Sequence, residues 1–296
     1  MEYLGDVRRA DPHLVMEECK SIITLGARYP FPKPGVHNAQ KGKIAAYAMV
    51  EDYHHILPQK LRQLCEFIER ETGHSFPYRV YTDTGPLLER DLAQRAGLGW
   101  IGKNTCLINP EIGSSFFLCE ILLGIELRPD SPFTTDRCGT CQRCIDACPT
   151  SCILPDRTID AGRCISYLTI ENKGEIPIEL RPRMGDWTFG CDICQEVCPW
   201  NERVETPEEC LFPPTPGIHP LDLVSELSLT AREFNQKYKT SPILRARRGG
   251  YLRNVSVVLG NQKDPASITP LEKASRDEDA RIMVHARWAL DQILRQ

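Results

Sequence analysis

The chain's capacity for chemistry is concentrated in its cysteines between residues 138 and 199. The run Cys138-Gly-Thr-Cys141-Gln-Arg-Cys144-Ile-Asp-Ala-Cys148-Pro149 spaces thiols by two, two and three residues and closes on Cys-Pro, a spacing that holds cubane iron–sulfur clusters. Three thiolates two residues apart wrap three corners of one cluster. The fourth, past a longer step and beside a proline that turns the chain away, ligates a different cluster. A second run is therefore required, and Gly190-Cys191-Asp-Ile-Cys194-Gln-Glu-Val-Cys198-Pro199 supplies it without the middle member of the first. The implied chemistry is single-electron transfer at low potential.

Two four-iron clusters need eight thiolates, and the two runs hold four and three. Cys164, between the runs, is the preferred eighth, with Cys152, four residues after Cys148, as its competitor. The expected sets are Cys138, Cys141, Cys144 and Cys198 for one cluster and Cys148, Cys164, Cys191 and Cys194 for the other. Zinc ribbons use two separated Cys-x-x-Cys pairs and have no place for a third thiol two residues on. Disulfides suit secreted chains, and Met1-Glu-Tyr-Leu-Gly-Asp-Val-Arg-Arg9 has no charged-then-apolar secretion pattern, so a reducing cytoplasmic setting is expected.

These thiols need a scaffold, and 296 residues suffice for two or three domains. The composition, 41% apolar and 26% charged, is that of a soluble protein. The longest apolar run, Phe116 to Leu127, is interrupted by Glu120 and Glu126 and is too short for a membrane span. The net charge of -4 conceals an asymmetry: residues 211–296 carry 13 Lys/Arg against 9 Asp/Glu, so the C-terminal part is the one suited to a polyanion.

Residues 21–27 and 43–50 read as short buried strands with a proline-rich loop, Tyr29 to Val36, between them. Pro58 to Gly73 reads as a helix burying Leu61, Leu64, Cys65 and Ile68, Tyr78 to Thr82 as a strand, and Pro86 to Ala96 as a second helix. The N-terminal part is thus an α/β or α+β domain. Asp83 falls at the junction of that strand and second helix. It reads either as a helix cap or as a carboxyl facing a ligand crevice at the end of a strand. The helix N-terminus favours its carboxylate and apolar burial its neutral acid. Asp52-Tyr53-His54-His55 puts an acid, a phenol and two imidazoles together, more often a surface turn than a catalytic centre. Gly97-Leu-Gly99-Trp-Ile-Gly102 matches a dinucleotide fingerprint in letters only, because a helix precedes it and a strand follows. It reads instead as a loop whose glycines admit a large ligand.

After Pro213-Pro-Thr-Pro-Gly217 the pattern is all helix. Thr230-Ala-Arg-Glu233 is a capping box, and segments 252–260, 268–275 and 279–294 alternate with short loops in the manner of about one and a half HEAT-type repeats. Arg245, Arg247, Arg248 and Arg253 around Gly249-Gly250 form the densest basic patch, either a solvated turn or a set of phosphate contacts. The expected architecture is α+β in three consecutive parts: an α/β domain over 1–135, a ferredoxin-like double-cluster domain over 136–210, and a helical HEAT-like region over 211–296.

Taken together, Asp52-Tyr53-His54, Tyr81 to Arg90, Gly97 to Thr105, the Cys138 run, Arg163 to Ile170 and Met184 to Asn201 resemble the epoxyqueuosine reductase family, tRNA-modifying relatives of cobalamin-dependent reductive dehalogenases. The resemblance spans most of the chain from about residue 20. It implies cobalamin held in the 1–135 domain and fed with electrons through two [4Fe-4S] clusters, and removal of the epoxide oxygen of epoxyqueuosine at the tRNA wobble position. It further implies Asp83 as proton donor, with Asp52 and His54 lining the pocket. Gly97, Gly99, Trp100, Ile101, Gly102, Lys103, Asn104 and Thr105, with Ser114 and Ser115, would meet the corrin and its nucleotide tail. An external low-potential electron donor, a monomeric cytoplasmic enzyme and no membrane association are also expected. Against the family pattern, the chain is expected to lack about one strand–helix unit ahead of Met1 and to have a short helical tail.

Two other functions compete. A reductive dehalogenase would act on a small organohalide, but such enzymes carry a twin-arginine export signal, and Arg8-Arg9 has no apolar segment after it. A plain electron carrier would leave Asp83 and the large N-terminal domain without a task.

Overall fold

The computed structural model describes residues 5–31, 42–204, 210–218 and 221–295; Pro32 to Val36 of the expected proline-rich loop lie outside them. Its strands are β1 (Ser21–Arg28), β2 (Lys43–Ile44), β3 (Tyr78–Tyr81), β4 (Trp100–Ile101), β5 (Leu107–Ile108), β6 (Phe116–Leu123) and β7 (Trp187–Phe189). Its helices are α1 (Tyr53–Thr72), α2 (Glu89–Arg95), α3 (Arg143–Ala147), α4 (Ile165–Ile170), α5 (Ile193–Glu196), α6 (Pro199–Glu202), α7 (Leu223–Leu227), α8 (Ala231–Lys237), α9 (Arg247–Gln262), α10 (Ile268–Ala274) and α11 (Ala280–Leu294). No helix among the described residues is long and apolar enough to cross a membrane. The chain divides into two compact units that are discontinuous in sequence, residues 1–30, 52–141 and 199–212 in one and 31–51, 142–198 and 213–296 in the other. The division does not follow the three consecutive segments expected from the sequence.

The first unit is built on an antiparallel sheet ordered β1-β6-β3. β6 is central because its residues are apolar on both faces and all but Leu118 are buried; the exception in type is Glu120, buried at mid-strand opposite Tyr81 of β3. α1 starts five residues earlier than expected. Asp52 caps it by accepting the His54 amide, so Pro58 falls inside the helix, which ends on left-handed Gly73. Tyr53, Leu57, Leu61 and Cys65, spaced by four, make its buried face.

The second unit is mostly helical. The expected strand over 43–50 reduces to Lys43–Ile44, paired in parallel with β7. The chain then turns into a short 3-10 helix at Ala46–Ala48, where small side chains pack closely and the Asp192 carboxylate takes the Ala46 amide. The capping box at Thr230 is present, and α8 to α11 fall close to their expected positions. They form no separate appendage. α9 is buried along Gly249–Gly260, and its core includes Ile44, Ala48, Ile170 and Phe189 from the earlier segments. Gly260 lets α9 and α11 approach, since a Cβ there would lie 2.7 Å from Ala289 Cα.

Candidate functional site

A polar cluster in the first unit forms where β3 ends. Thr82 is tied to the sheet by its hydroxyl, which donates to Leu118 O at 2.9 Å. Asp83 follows with φ of 57°, a left-handed conformation that carries a penalty of about 1 kcal/mol for a residue with a Cβ. Two contacts hold it there: Thr84 N donates to Thr82 O at 2.6 Å, and Asp83 N donates to the Glu89 carboxylate. The strained backbone turns the carboxyl outward, where its side chain is 53% exposed. Asp83 does not cap α2, because Leu88 occupies that position and no side chain caps the helix. The crevice argument for Asp83 does not hold either, since the sheet is antiparallel; the backbone turn places this residue.

Three neighbours surround the Asp83 carboxyl. Tyr53, buried and stacked between Phe117 at 4.0 Å and His54 at 4.1 Å, donates its hydroxyl to Asp83 Oδ2 at 3.0 Å. His54 Nε2 lies 3.5 Å from the same oxygen, and Asp52 Oδ1 meets His54 Nδ1 at 2.6 Å. The Asp52-Tyr53-His54-His55 stretch is therefore the opening turn of α1 and not a surface turn. His54 faces the cluster while His55 is exposed. Burial alone would push the His54 ring toward neutrality, but the Asp52 and Asp83 carboxylates outweigh it and raise its pKa from 6.5 to about 9. Burial likewise works against ionised Asp52, yet the His54 ring and amide hold it below its ordinary value. At neutral pH the cluster thus carries an imidazolium between two acids. Because the His54 value is raised on folding, its contribution to stability is fully present below about 6.5 and is lost as pH rises through about 9. An NMR titration should place the His54 ring near 9 in the wild type and well below that in Asp52→Asn.

Sequence reasoning gave no role to Tyr53, Glu89 or Glu120. Tyr53 lay within a quoted motif. The signal for Glu120 was a lone acid in an otherwise apolar strand.

The glycine segment folds as a β4–β5 hairpin, and its glycines serve the hairpin itself. A Cβ on Gly99 would lie 2.1 Å from Ile108 O, one on Gly102 would meet the Ile108 side chain and Asn104 Oδ1, and one on Gly97 would meet Ser131 O. The expectation that they admit a large ligand is therefore corrected. Several polar residues assigned to the corrin are likewise occupied within the protein. Lys103 Nζ donates to the carbonyls of Gly139 and Cys141 at 2.8 and 2.9 Å, bracing the first cysteine loop. Trp100, buried, donates its indole N–H to Cys138 Sγ at 3.4 Å. Asn104 accepts the Cys106 amide, Ser114 is bonded to the Asn201 side chain, and Ser115 O accepts from Tyr29 N. Ile101 and Thr105 stay half-exposed, and Arg90 of α2 donates to Thr105 O at 2.8 Å. Helix α2 thereby anchors both Asp83, through Glu89, and this hairpin, through Arg90.

No cysteine is in a disulfide. Cys138 and Cys141 belong to the first unit and the remaining candidate ligands to the second. There, α3 and α5, which carry Cys144 and Cys194, pack together. Cys148 Sγ lies 3.4 Å from Cys152 Sγ. Hydrogen bonds from Cys152 draw Cys148 down to about 4 and Cys164 to about 6, while Cys152, donating to both, is pushed far up. Cys164 stands at the N-terminus of α4, where the amides of Tyr167 and Ser166 also favour its thiolate. Cys152 is buried beside Cys148.

The basic patch disperses. Arg253 is fully buried and donates to the carbonyls of Leu168, Asn172 and Gly174 and to Asn254 Oδ1, so its assignment to phosphate is corrected. Arg248 is half-buried and paired with Asp277, and Arg245 pairs with Glu171. Arg245 and Arg247 are exposed. Arg253→Ala should destabilise the fold by about 3 kcal/mol in urea denaturation, because a fully buried side chain is lost, leaving a cavity and leaving the buried Leu168 carbonyl without its donor.

Comparison with known proteins identifies the family. Residues 137–201 match the 4Fe-4S double cluster binding domain, and residues 9–84 match the family model described as Epoxyqueuosine reductase QueG, DUF1730. An epoxyqueuosine reductase of Xanthomonas campestris is 43% identical over 258 residues, 87% of this chain and 72% of that protein. One from Aliivibrio fischeri is 38% identical over 290 residues, 97% of this chain and 78% of the relative. Among solved structures, an epoxyqueuosine reductase with an epoxyqueuosine-modified tRNA-Tyr stem loop superimposes with a TM-score of 0.88 at 32% identity, covering 95% of this chain and 76% of the other. The Bacillus subtilis enzyme, with an aspartate-bearing catalytic loop swung out of its active site, gives 0.80 at 29% identity, covering 97% and 85%. The chain belongs to the epoxyqueuosine reductase family.

Proposed function

We propose that this protein reductively removes the epoxide oxygen of epoxyqueuosine in the anticodon of tRNA. Two electrons and two protons convert the epoxide to the alkene of queuosine, and the oxygen leaves as water. The observation that carries this reading is the strained, half-exposed Asp83 with Tyr53 and His54 on its carboxyl, in a fold shared with an enzyme solved with an epoxyqueuosine-modified stem loop.

The ligand sets read from the spacing are retained: Cys138, Cys141, Cys144 and Cys198 for one [4Fe-4S] cluster, Cys148, Cys164, Cys191 and Cys194 for the other. The helix N-terminus behind Cys164 favours it over Cys152. Cobalamin, implied by the resemblance, would supply a strongly reducing, nucleophilic metal centre. The residues present fit such a ligand through half-exposed Ile101 and Thr105, anchored to the same helix as Asp83. Lys103, Asn104, Ser114 and Ser115 are better assigned to holding the protein surface in shape.

Asp83, a carboxylate beside the His54 imidazolium in the free protein, would take up a proton from solvent and give it to the epoxide oxygen, the step that makes this oxygen a competent leaving group. Tyr53, by hydrogen bond, and the His54 imidazolium, by charge, steady the carboxylate that remains. HEAT-like α9–α11 with exposed Arg245 and Arg247 would face the RNA backbone. An external low-potential donor would supply the electrons, and the enzyme would act as a cytoplasmic monomer.

Titrating the anaerobically reconstituted protein with cobalamin tests the cofactor reading. Saturable uptake seen in the corrinoid bands supports it, whereas iron–sulfur absorbance with no uptake favours an electron carrier. The Trp100 contact gives a second test. The indole N–H stabilises the more negative, reduced cluster, and a hydrogen bond of about 1 kcal/mol corresponds to about 40 mV for one electron. Trp100→Phe should therefore lower the potential of one cluster by about that amount, measured by EPR-monitored redox titration.

A further inference from the structure

Glu120 is fully buried in the central strand of the first sheet, and neither carboxyl oxygen has a hydrogen-bond donor. It shares a face of β6 with Phe116 and Leu122. Phe116 packs with Ala93 and Leu107, Leu122 with Val15, Met16, Cys19 and Leu87. Glu120 therefore sits between two apolar clusters that contain residues on or next to α2. Helix α2, which packs on β6, brings another acid, Glu89, next to it. The other charged or titratable groups around the pair are Asp83 on the β3–α2 loop, Tyr81 opposite Glu120 on β3, Arg90 on α2 and Cys119 on β6. Arg90 directs its guanidinium to Thr105 O, and the Cys119 thiol, pushed up to about 12 by burial and then by both glutamates, stays neutral. Nothing here neutralises two facing carboxylates except a proton.

We propose that Glu120 is a protonated acid in the working enzyme, donating to the Glu89 carboxylate, and that this pair is the latch that holds Asp83 in its strained conformation. The two carboxyls share one proton, an arrangement that is strong because donor and acceptor are matched acids and Glu120 is fully buried. Glu89 in turn accepts the Asp83 amide, so the fixed proton deep in the sheet sets the direction of the Asp83 carboxyl at the surface. Burial first raises both, Glu89 to about 7 with the Asp83 charge adding to it and Glu120 to about 10 with the Glu89 charge adding to it, consistent with one retained proton. Loss of that proton would place two negative charges together. Half-exposed Glu89 would then turn toward water, leaving the Asp83 amide without its acceptor. Glu89 and Glu120 are positioning residues; their bearing on turnover rests on the proposed role of Asp83.

Two measurements on the full, cluster-loaded protein test the latch apart from that role. Both pKa values are raised on folding, so the stability the pair contributes is present below about 4.5 and is lost as pH rises through about 7 and then about 10. Glu120→Gln, which keeps a donor to Glu89 without an ionisable proton, should flatten this fall and match or exceed the wild type at about pH 9. A variant equally destabilised at about pH 6 and pH 9 would mean that Glu120 is ionised and partnered, and would overturn the proposal. Amide hydrogen exchange over residues 82–85 reads the loop. Glu89→Ala should exchange about tenfold faster, the equivalent of one charge-assisted hydrogen bond, and Glu89→Gln, which retains an acceptor, should stay near the wild-type rate. Unchanged exchange in Glu89→Ala would show that the pair does not hold the loop. An Asp83→Asn variant with full turnover would remove the catalytic reading while leaving both results intact.

Discussion

Asp83→Asn should lower the rate of queuosine formation by about 10²–10⁴-fold, the range of a single positioned general acid, while leaving the melting temperature close to that of the wild type. The two readouts separate because the side chain is half-exposed and makes its polar contacts at the surface. Asparagine still accepts the Tyr53 hydroxyl and keeps the same backbone, but has no carboxyl proton to give. The loss should fall on kcat more than on KM, since a proton given in the transition state adds little to substrate binding. Single-turnover assays on an epoxyqueuosine-containing stem loop, with the clusters reduced beforehand, isolate this step from electron delivery. A variant that turns over at the wild-type rate would assign the proton to another group.

Cys164→Ser should lower cluster content from about eight irons per chain to about four and abolish turnover, because one of the two stations for electrons is lost. Cys152→Ser should retain both clusters. The contrast follows from position: Cys164 stands at a helix N-terminus, whereas Cys152 is buried beside Cys148. A hydroxyl at 152 can still donate in its place. Iron analysis with EPR of the reduced protein measures both variants. Loss of a cluster in Cys152→Ser, with Cys164→Ser intact, would reverse the assignment.

The cysteine runs were legible because ligand spacing is local, fixed by a few residues of chain. The helices of the C-terminal part were legible for the same reason: Thr230 and Glu233 cap one and Asp279 another, through bonds to residues two or three away. Asp83 was visible as a residue, but the cause of its placement was not. Its left-handed backbone is held by a glutamate six residues on, and its carboxyl by a tyrosine 30 residues back. The glycines of the β4–β5 hairpin were misread because whether a missing Cβ makes room for a ligand or for the chain depends on what lies opposite, here Ile108. Arg253 was misread for a related reason. A cluster of arginine letters carries no record of which side chain points inward, and carbonyls 79 to 85 residues away receive this one. Glu120 shows the same limit in reverse, an acid in an apolar strand whose partner lies on another element.

The most direct measurement of the central claim is the conversion of an epoxyqueuosine-containing tRNA stem loop by the anaerobically reconstituted protein, supplied with cobalamin and a low-potential reductant and followed by nucleoside mass spectrometry. The account predicts queuosine, formed only when cobalamin and reductant are both present. A protein with both clusters intact that leaves the epoxide untouched under these conditions would contradict it.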